Sequence, residues 1–163
     1  MTKPPRFPGQ ASPYATFFVT ASTRQRREVF RSERMARLFI ETLYHYRQQG
    51  VYTLHEFTIM PDHFHVLVSP ALGVQIAAAV QKIKIKGGFS YRAGKETGSR
   101  MEIWQRGFTD HGIRDEQDYI NHRDYIRQNA VGKRLVWKPE EYALLLRLSW
   151  LHARPGSAEI HRG

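Results

Sequence analysis

Val51 to Pro70 reads VYTLHEFTIMPDHFHVLVSP. Val51 to Met60 is rich in β-branched and aromatic residues, Pro61-Asp62 is turn chemistry, and Phe64 to Ser69 is a second run of the first kind. Two such runs joined by a short turn predict an antiparallel hairpin. Successive strand residues alternate faces, so His63 and His65 project to the same side of the second strand. Upstream, YATFFVTA from Tyr14 to Ala21 predicts another strand. Ser32 is placed to cap a helix from Glu33 to Gln49, with Met35, Phe39, Thr42 and Tyr46 on one stripe and Gly50 as its stop.

Downstream, a helix is expected to begin near Gly73, with Ile76, Val80 and Ile83 on one face. The KIKIK run from Lys82 to Lys86 alternates well enough to be a strand instead. Gly87-Gly88 closes this element, Lys95 to Arg100 reads as a loop, and Ile103 to His111 as a less patterned fourth strand. Asp115 then caps a last helix from Glu116 to about Ala130, closed by Gly132. The order β-α-β-β-α-β plus one helix predicts an α+β ferredoxin-like sandwich with an additional C-terminal helix. The expected organisation is a proline-bearing arm over 1–12, one domain over 13–148 and a tail over 149–163, with an apolar patch from Tyr142 to Leu148 at the domain's end.

Composition narrows the function. The 163 residues carry 25 Lys plus Arg against 15 Asp plus Glu, a formal charge of +10, which suits a polyanionic partner such as nucleic acid. Cysteine is absent, so disulfide scaffolds, thiol nucleophiles and Cys-ligated zinc are excluded. No apolar run reaches the roughly 18 residues of a membrane span, and MTKPPRFPGQ lacks the apolar core of a secretion signal. A cytoplasmic location without a membrane partner is expected. GGFSYRAGKET, Gly87 to Thr97, superficially resembles a P-loop, but the spacing is one residue too long and Glu96 holds the Ser/Thr position, so no nucleotide cofactor is expected.

Two histidines converging from one strand suit a divalent metal, although a His-x-His pair alone is equally a feature of ordinary strands. The last helix adds to it. At 100° per residue Asp118, His122, Tyr125 and Asn129 fall within about 60° of one another, and Tyr119, Ile126 and Ala130 form a stripe roughly 90° away that should face the core. Tyr125 beside a metal is then a candidate nucleophile and Asn129 an oxygen ligand, with His122 and Asp118 as possible accessories. Lys82, Lys84, Lys86, Arg92 and Lys95 cluster with Phe89 and Tyr91, a mix suited to phosphate contact and base stacking. Arg106 and Arg127 are further candidate DNA contacts, and Arg24, Arg26 and Arg27 form a second basic knot.

IMPDHFHVLVSP, Ile59 to Pro70, resembles the His-hydrophobic-His strand of the single-tyrosine HUH transposases. IWQRGFTDHGIRDEQDYINHRDYIRQNAVGKRLV, Ile103 to Val136, resembles the segment that carries their tyrosine. Among these the pattern is most similar to the REP-associated tyrosine transposases. The resemblance spans about Tyr14 to Tyr142. It implies a ferredoxin-like fold, His63, His65 and Asn129 as ligands of Mg²⁺ or Mn²⁺, Tyr125 as nucleophile, and single-stranded or hairpin DNA as substrate, in a monomer or a homodimer. Two positions depart from the family pattern: Ala130 stands where proline is usual, and Asp62 where asparagine is commoner, adding charge beside the metal. The resulting expectation is a metal-dependent DNA transesterase working through a 5′-phosphotyrosine intermediate. Its rivals are a catalytically silent hairpin-binding protein and a ferredoxin-like RNA endonuclease that forms no adduct.

Overall fold

The computed structural model describes residues 15–85, 88–99 and 102–132. Four strands, β1 (Phe17–Ser22), β2 (Tyr52–Met60), β3 (His63–Pro70) and β4 (Thr109–Gly112), form one sheet in the order β2-β3-β1-β4. Every pairing is antiparallel. The described residues also form four α-helices: α1 (Glu33–Gln48), α2 (Ile76–Lys84), α3 (Phe89–Thr97) and α4 (Glu116–Gly132). This is the α+β ferredoxin-like arrangement with α4 added.

The expected hairpin forms, with Met60 opposite His63 and Thr58 opposite His65. Its turn is narrower than expected, because pairing with Met60 draws His63 into β3. Ser32 Oγ accepts from the Met35 amide and so caps α1, as its sequence position predicts. Phe39, Thr42 and Tyr46 of the expected stripe are buried and Met35 packs at its margin.

Three expectations are corrected. Residues 95–100 are not simply a loop: α3 occupies 89–97, with Phe89 and Ala93 buried one turn apart. Gly88 precedes it because a Cβ there would lie 2.0 Å from the Lys82 carbonyl oxygen, so only glycine lets α3 fold back on α2. The fourth strand is Thr109–Gly112 rather than 103–111, because Ile103 and Trp104 are taken into the core and only Trp104 bridges Thr23. The KIKIK run is helical through Lys84, and α2 begins at Ile76, later than Gly73. The limits of the arm and tail, Lys86, and the Tyr142 to Leu148 patch lie outside the described residues.

Alternation along the strands makes two unlike faces. On one, Val19 and Ala21 of β1 and Phe64, Val66 and Val68 of β3 meet α1, α2 and α3. The centre is aromatic: Phe39 lies 4.7 Å from Phe64 and 5.2 Å from Phe30 between ring centroids, with Phe89 and Trp104 within 6 Å. On the other, Phe18, His65 and Leu67 face α4, whose Ile126 joins Leu67 and Ile113 in a small separate cluster. Arg127 Nε ties α4 to Glu56 Oε1 of β2 at 2.7 Å.

Candidate functional site

The site lies on the α4 face, at the end of β3 next to the hairpin turn. His63 and His65 point the same way, with ring centroids 4.8 Å apart. Each ring is held from behind through Nδ1. His63 Nδ1 donates to Asp62 Oδ1 at 2.7 Å, and Thr20 Oγ1 lies 2.7 Å from His65 Nδ1. His65 is 5% exposed, and its Nε2 is buried with no hydrogen-bond partner. Burial, assisted by the neighbouring His63, pushes the His65 pKa down to about 3, so the ring is neutral at ordinary pH. A buried, neutral imidazole with an orphaned nitrogen is chemistry that fits a metal ion.

Tyr125 reaches this pair from α4. Its ring stands edge-on to His65 at 5.3 Å and to Phe18 at 6.0 Å, and the residue is half-exposed. Asn129 follows one turn later on the same face of α4 and is half-buried. Tyr119, by contrast, is on the packing side of the helix against His55 and the Leu67 cluster. Burial raises its pKa, with Glu56 adding to the effect.

Asp118 and His122, the possible accessories, meet His111 of β4. Asp118 is 6% exposed. Its Oδ2 accepts from His111 Nε2 at 2.9 Å and from the Arg114 amide at 2.9 Å, while its own amide donates to Asp115 Oδ1 at 2.7 Å. It is thus the reciprocal half of the cap that starts α4. Burial acts to raise its pKa, but the bonds from the Arg114 amide and from His111 prevail and hold it down to about 2. His122 Nδ1 donates to the Asp118 carbonyl oxygen at 2.8 Å, and its ring stacks on His111 at 4.8 Å. Potential ligand atoms of His111, Asp118 and His122 lie within 4.8 Å of one another, a spacing that could hold a metal ion. Their donors are already engaged on Asp118, however, and Arg114 Nε is 3.4 Å from the same oxygen. Among the described residues, His65 Nε2 is the buried imidazole nitrogen left without a hydrogen-bond partner. Phe18 touches both groups, 5.2 Å from His65 and 4.7 Å from His122.

The basic residues divide. Lys82 and Arg106 are exposed, and Arg92 is half-buried. Lys84, expected among the phosphate contacts, is 4% exposed, and its Nζ donates to the carbonyls of Gln105 at 3.2 Å and Gly107 at 2.8 Å. Burial lowers its pKa. Residues two apart on a helix face different ways, which is why Lys82 and Lys84 part company. Arg127 is engaged by Glu56, a bond that raises its pKa. A groove of about 1550 Å³ runs between α2, α3 and residues 102–107, lined in part by Tyr91, Lys95, Trp104 and Arg106. In it Lys95 Nζ stands 5.0 Å from the centre of the exposed Tyr91 ring.

Sequence reasoning missed Thr20 and His111. Both lie on the α4 face of their strands, and alternation from Phe18 marks Thr20 once the strand is fixed.

A family model described as "Transposase IS200 like" matches residues 14–129. The chain belongs to the IS200-like transposase family. A REP-associated tyrosine transposase of Escherichia coli is 25% identical over 116 residues, which is 71% of this chain and 66% of that protein. A Haemophilus influenzae protein named for the same group is 33% identical over 81 residues, 45% of this chain and 46% of that protein. The chain thus spans about half to two thirds of the length of these relatives. A solved REP-associated tyrosine transposase bound to a REP hairpin superposes with a TM-score of 0.61 at 24% identity, covering 83% of this chain and 76% of that one. A Deinococcus radiodurans crystal structure described as a transposase gives 0.54 at 18% identity, covering 78% and 97%. At these identities the structural likeness speaks for the fold, which agrees with the sheet order above. The resemblance read from Ile59–Pro70 and Ile103–Val136 is matched by relatives carrying the REP-associated name. Among the described residues no helix is long and apolar enough to cross a membrane.

Proposed function

We propose that the chain is a metal-dependent DNA transesterase that uses Tyr125 to cut single-stranded or hairpin DNA. The observation that carries this reading is the meeting of three groups from two elements: the paired imidazoles of β3, the orphaned His65 Nε2, and the accessible Tyr125 ring against His65. His63 and His65 would hold a divalent ion through Nε2, with the Asn129 side-chain oxygen as third ligand. Bound there, the ion supplies charge stabilisation to a scissile phosphate. Mn²⁺ and Mg²⁺ both suit the set, with imidazole favouring Mn²⁺.

Tyr125 Oη attacks phosphorus, forming a 5′-phosphotyrosine bond and breaking the bond to the 3′-oxygen, which leaves as a hydroxyl after taking up a proton. The phosphodiester bond is exchanged rather than hydrolysed, so no nucleotide is consumed. Tyr125 is aromatic-packed on one edge and open on the other, which leaves the phenol reachable by an extended strand. The groove lined by Tyr91, Lys95 and Arg106 supports a nucleic-acid partner, since it combines cations with an exposed ring. A regular duplex keeps its phosphates away from a residue lying against the sheet, so the target should be unpaired.

The experiment compares a hairpin bearing a single-stranded flank with the same sequence annealed to its full complement, in Mn²⁺ at one salt concentration. Cutting of the flanked hairpin alone is expected. Equal cutting of both would remove the single-strand reading, and loss of cutting in excess EDTA would be required of the metal reading.

A further inference from the structure

The Arg24–Arg26 turn after β1 contains two consecutive non-glycine residues with left-handed backbone, Gln25 at φ 56° and Arg26 at φ 54°. L-residues avoid this region, and pairs of them persist only where surrounding contacts impose the shape. The contacts are present. The Thr23 amide donates to the Asp62 carbonyl at 2.8 Å, and Thr23 Oγ1 lies 2.7 Å from the Arg27 carbonyl and 3.0 Å from that of Asp62. The Phe30 amide donates to the Pro61 carbonyl at 3.0 Å. The turn is thereby clamped over the hairpin turn that precedes His63.

The consequence is at Arg26. Its Nε donates to Asp62 Oδ2 at 2.9 Å and its Nη1 to Ser22 Oγ at 3.2 Å, while Asp62 Oδ1 accepts from His63 Nδ1. Guanidinium, carboxylate and imidazole therefore form one chain ending on a candidate metal ligand. An ordinary exposed ion pair does not require its arginine to sit in a strained backbone, nor does it spend the second carboxylate oxygen on a histidine. His65 is oriented by a different means, the neutral hydroxyl of Thr20. The two ligands thus have unlike supports, one charged and one not.

We propose that Arg26 and Asp62 are a positioning pair for His63: they fix the imidazole as the Nδ1–H tautomer and turn Nε2 outward as a ligand. A carboxylate behind a ligating histidine also makes it a better electron donor. The inference rests on the metal reading above only for its effect on affinity; the tautomer is a property of the metal-free chain.

The test uses the full chain and three variants, Asp62→Asn, Asp62→Ala and Arg26→Ala. The first readout is ¹⁵N–¹H long-range correlation of the histidine rings without metal, which distinguishes the two neutral tautomers. The second is the affinity for Mn²⁺ alone, by calorimetry. The native chain should show His63 almost wholly as Nδ1–H. Asp62→Ala should give a mixture of tautomers and weaken Mn²⁺ binding about tenfold, in the range found for lost outer-sphere partners. Asp62→Asn retains an acceptor oxygen, so it should restore the tautomer while recovering affinity only in part. Arg26→Ala should fall between Asp62→Asn and Asp62→Ala, and the His65 ring should stay unchanged throughout as an internal control.

If Asp62→Ala lowers thermal stability but leaves the His63 tautomer and Mn²⁺ affinity within twofold of native, the pair is merely structural and the proposal is overturned. If the native chain binds no Mn²⁺, the metal reading falls, and the tautomer readout still decides the role of Asp62 separately.

Discussion

The two faces of the sheet have been built for different ends. The face under α1, α2 and α3 is closed by aromatic rings from several parts of the chain, with Phe39, Phe64 and Phe89 fully buried. Among the described residues, the face under α4 buries Leu67, Ile113 and Ile126 in a small apolar cluster, set among histidines, threonines and two aspartate-centred networks. The first face earns most of the stability. The second tolerates polar groups and an orphaned imidazole nitrogen because the first makes that tolerable, a division expected where a site is carried on a packed scaffold. Ile126 is the fully buried link: with Tyr119 beside it and the Arg127–Glu56 bond, it seats the helix that carries Tyr125.

This contrast can be broken at several points, beginning with the largest effect. Phe39→Ala should cost about 3–5 kcal/mol by removing the ring that touches four other aromatics. Chemical denaturation would measure it, and any protein remaining folded should keep its adduct-forming rate within a few fold. Ile126→Ala should cost less, about 2–3 kcal/mol, yet should reduce the adduct rate at least tenfold because α4 is no longer seated. Rate and stability should thus separate in opposite senses on the two faces. Equal losses of both in both variants would remove the division.

Lys84→Met sharpens the comparison from the other side. Its ammonium ties α2 to residues 105–107, so stability should fall by about 2 kcal/mol with little change in the salt dependence of DNA binding. A shallower salt slope with unchanged stability would restore Lys84 to the DNA contacts.

The smallest effect is in pH. Burial depresses the pKa of His55 to about 4, below the roughly 6.5 of an unfolded histidine. The unfolded chain therefore binds the proton more readily, so this contribution is complete above pH 6.5 and declines as pH falls toward 4. Between pH 7 and 5.5 it amounts to about 1 kcal/mol, and His55→Gln, which keeps a polar partner for Ser69, should flatten the stability profile by that amount. An unchanged profile would show that His55 does not stay neutral in the folded state.

Much of this was legible in the residues. Alternation through Phe64-His65-Val66-Leu67 predicts both the hairpin and the shared direction of the histidines, and helical periodicity alone separates Tyr125 from Ile126. What periodicity does not encode is which polar residues from distant segments meet. His111 finds Asp118 only because β4 pairs with β1, and Arg26 finds Asp62 only through a left-handed turn without glycine. α3 is hidden for a related reason: Gly87-Gly88 reads as a stop and residues 95–100 as a loop, whereas Gly88 and Gly98 are the cap positions of a helix between them. A lysine is ordinarily solvated, so nothing in the Lys82–Lys86 run marks Lys84 as buried; the fold of residues 105–107 supplies the two carbonyls that hold it.

The central claim is that Tyr125 becomes covalently joined to DNA. The direct measurement is to incubate the full chain with a labelled hairpin bearing a single-stranded flank and Mn²⁺, resolve the products on a denaturing gel, and map the linked peptide by mass spectrometry. The account predicts a slow-migrating protein–DNA species whose nucleotide is attached at Tyr125, absent for Tyr125→Phe although that variant binds the hairpin within a few fold of native. Cleavage with no covalent species, or a species attached at Tyr119, would contradict it.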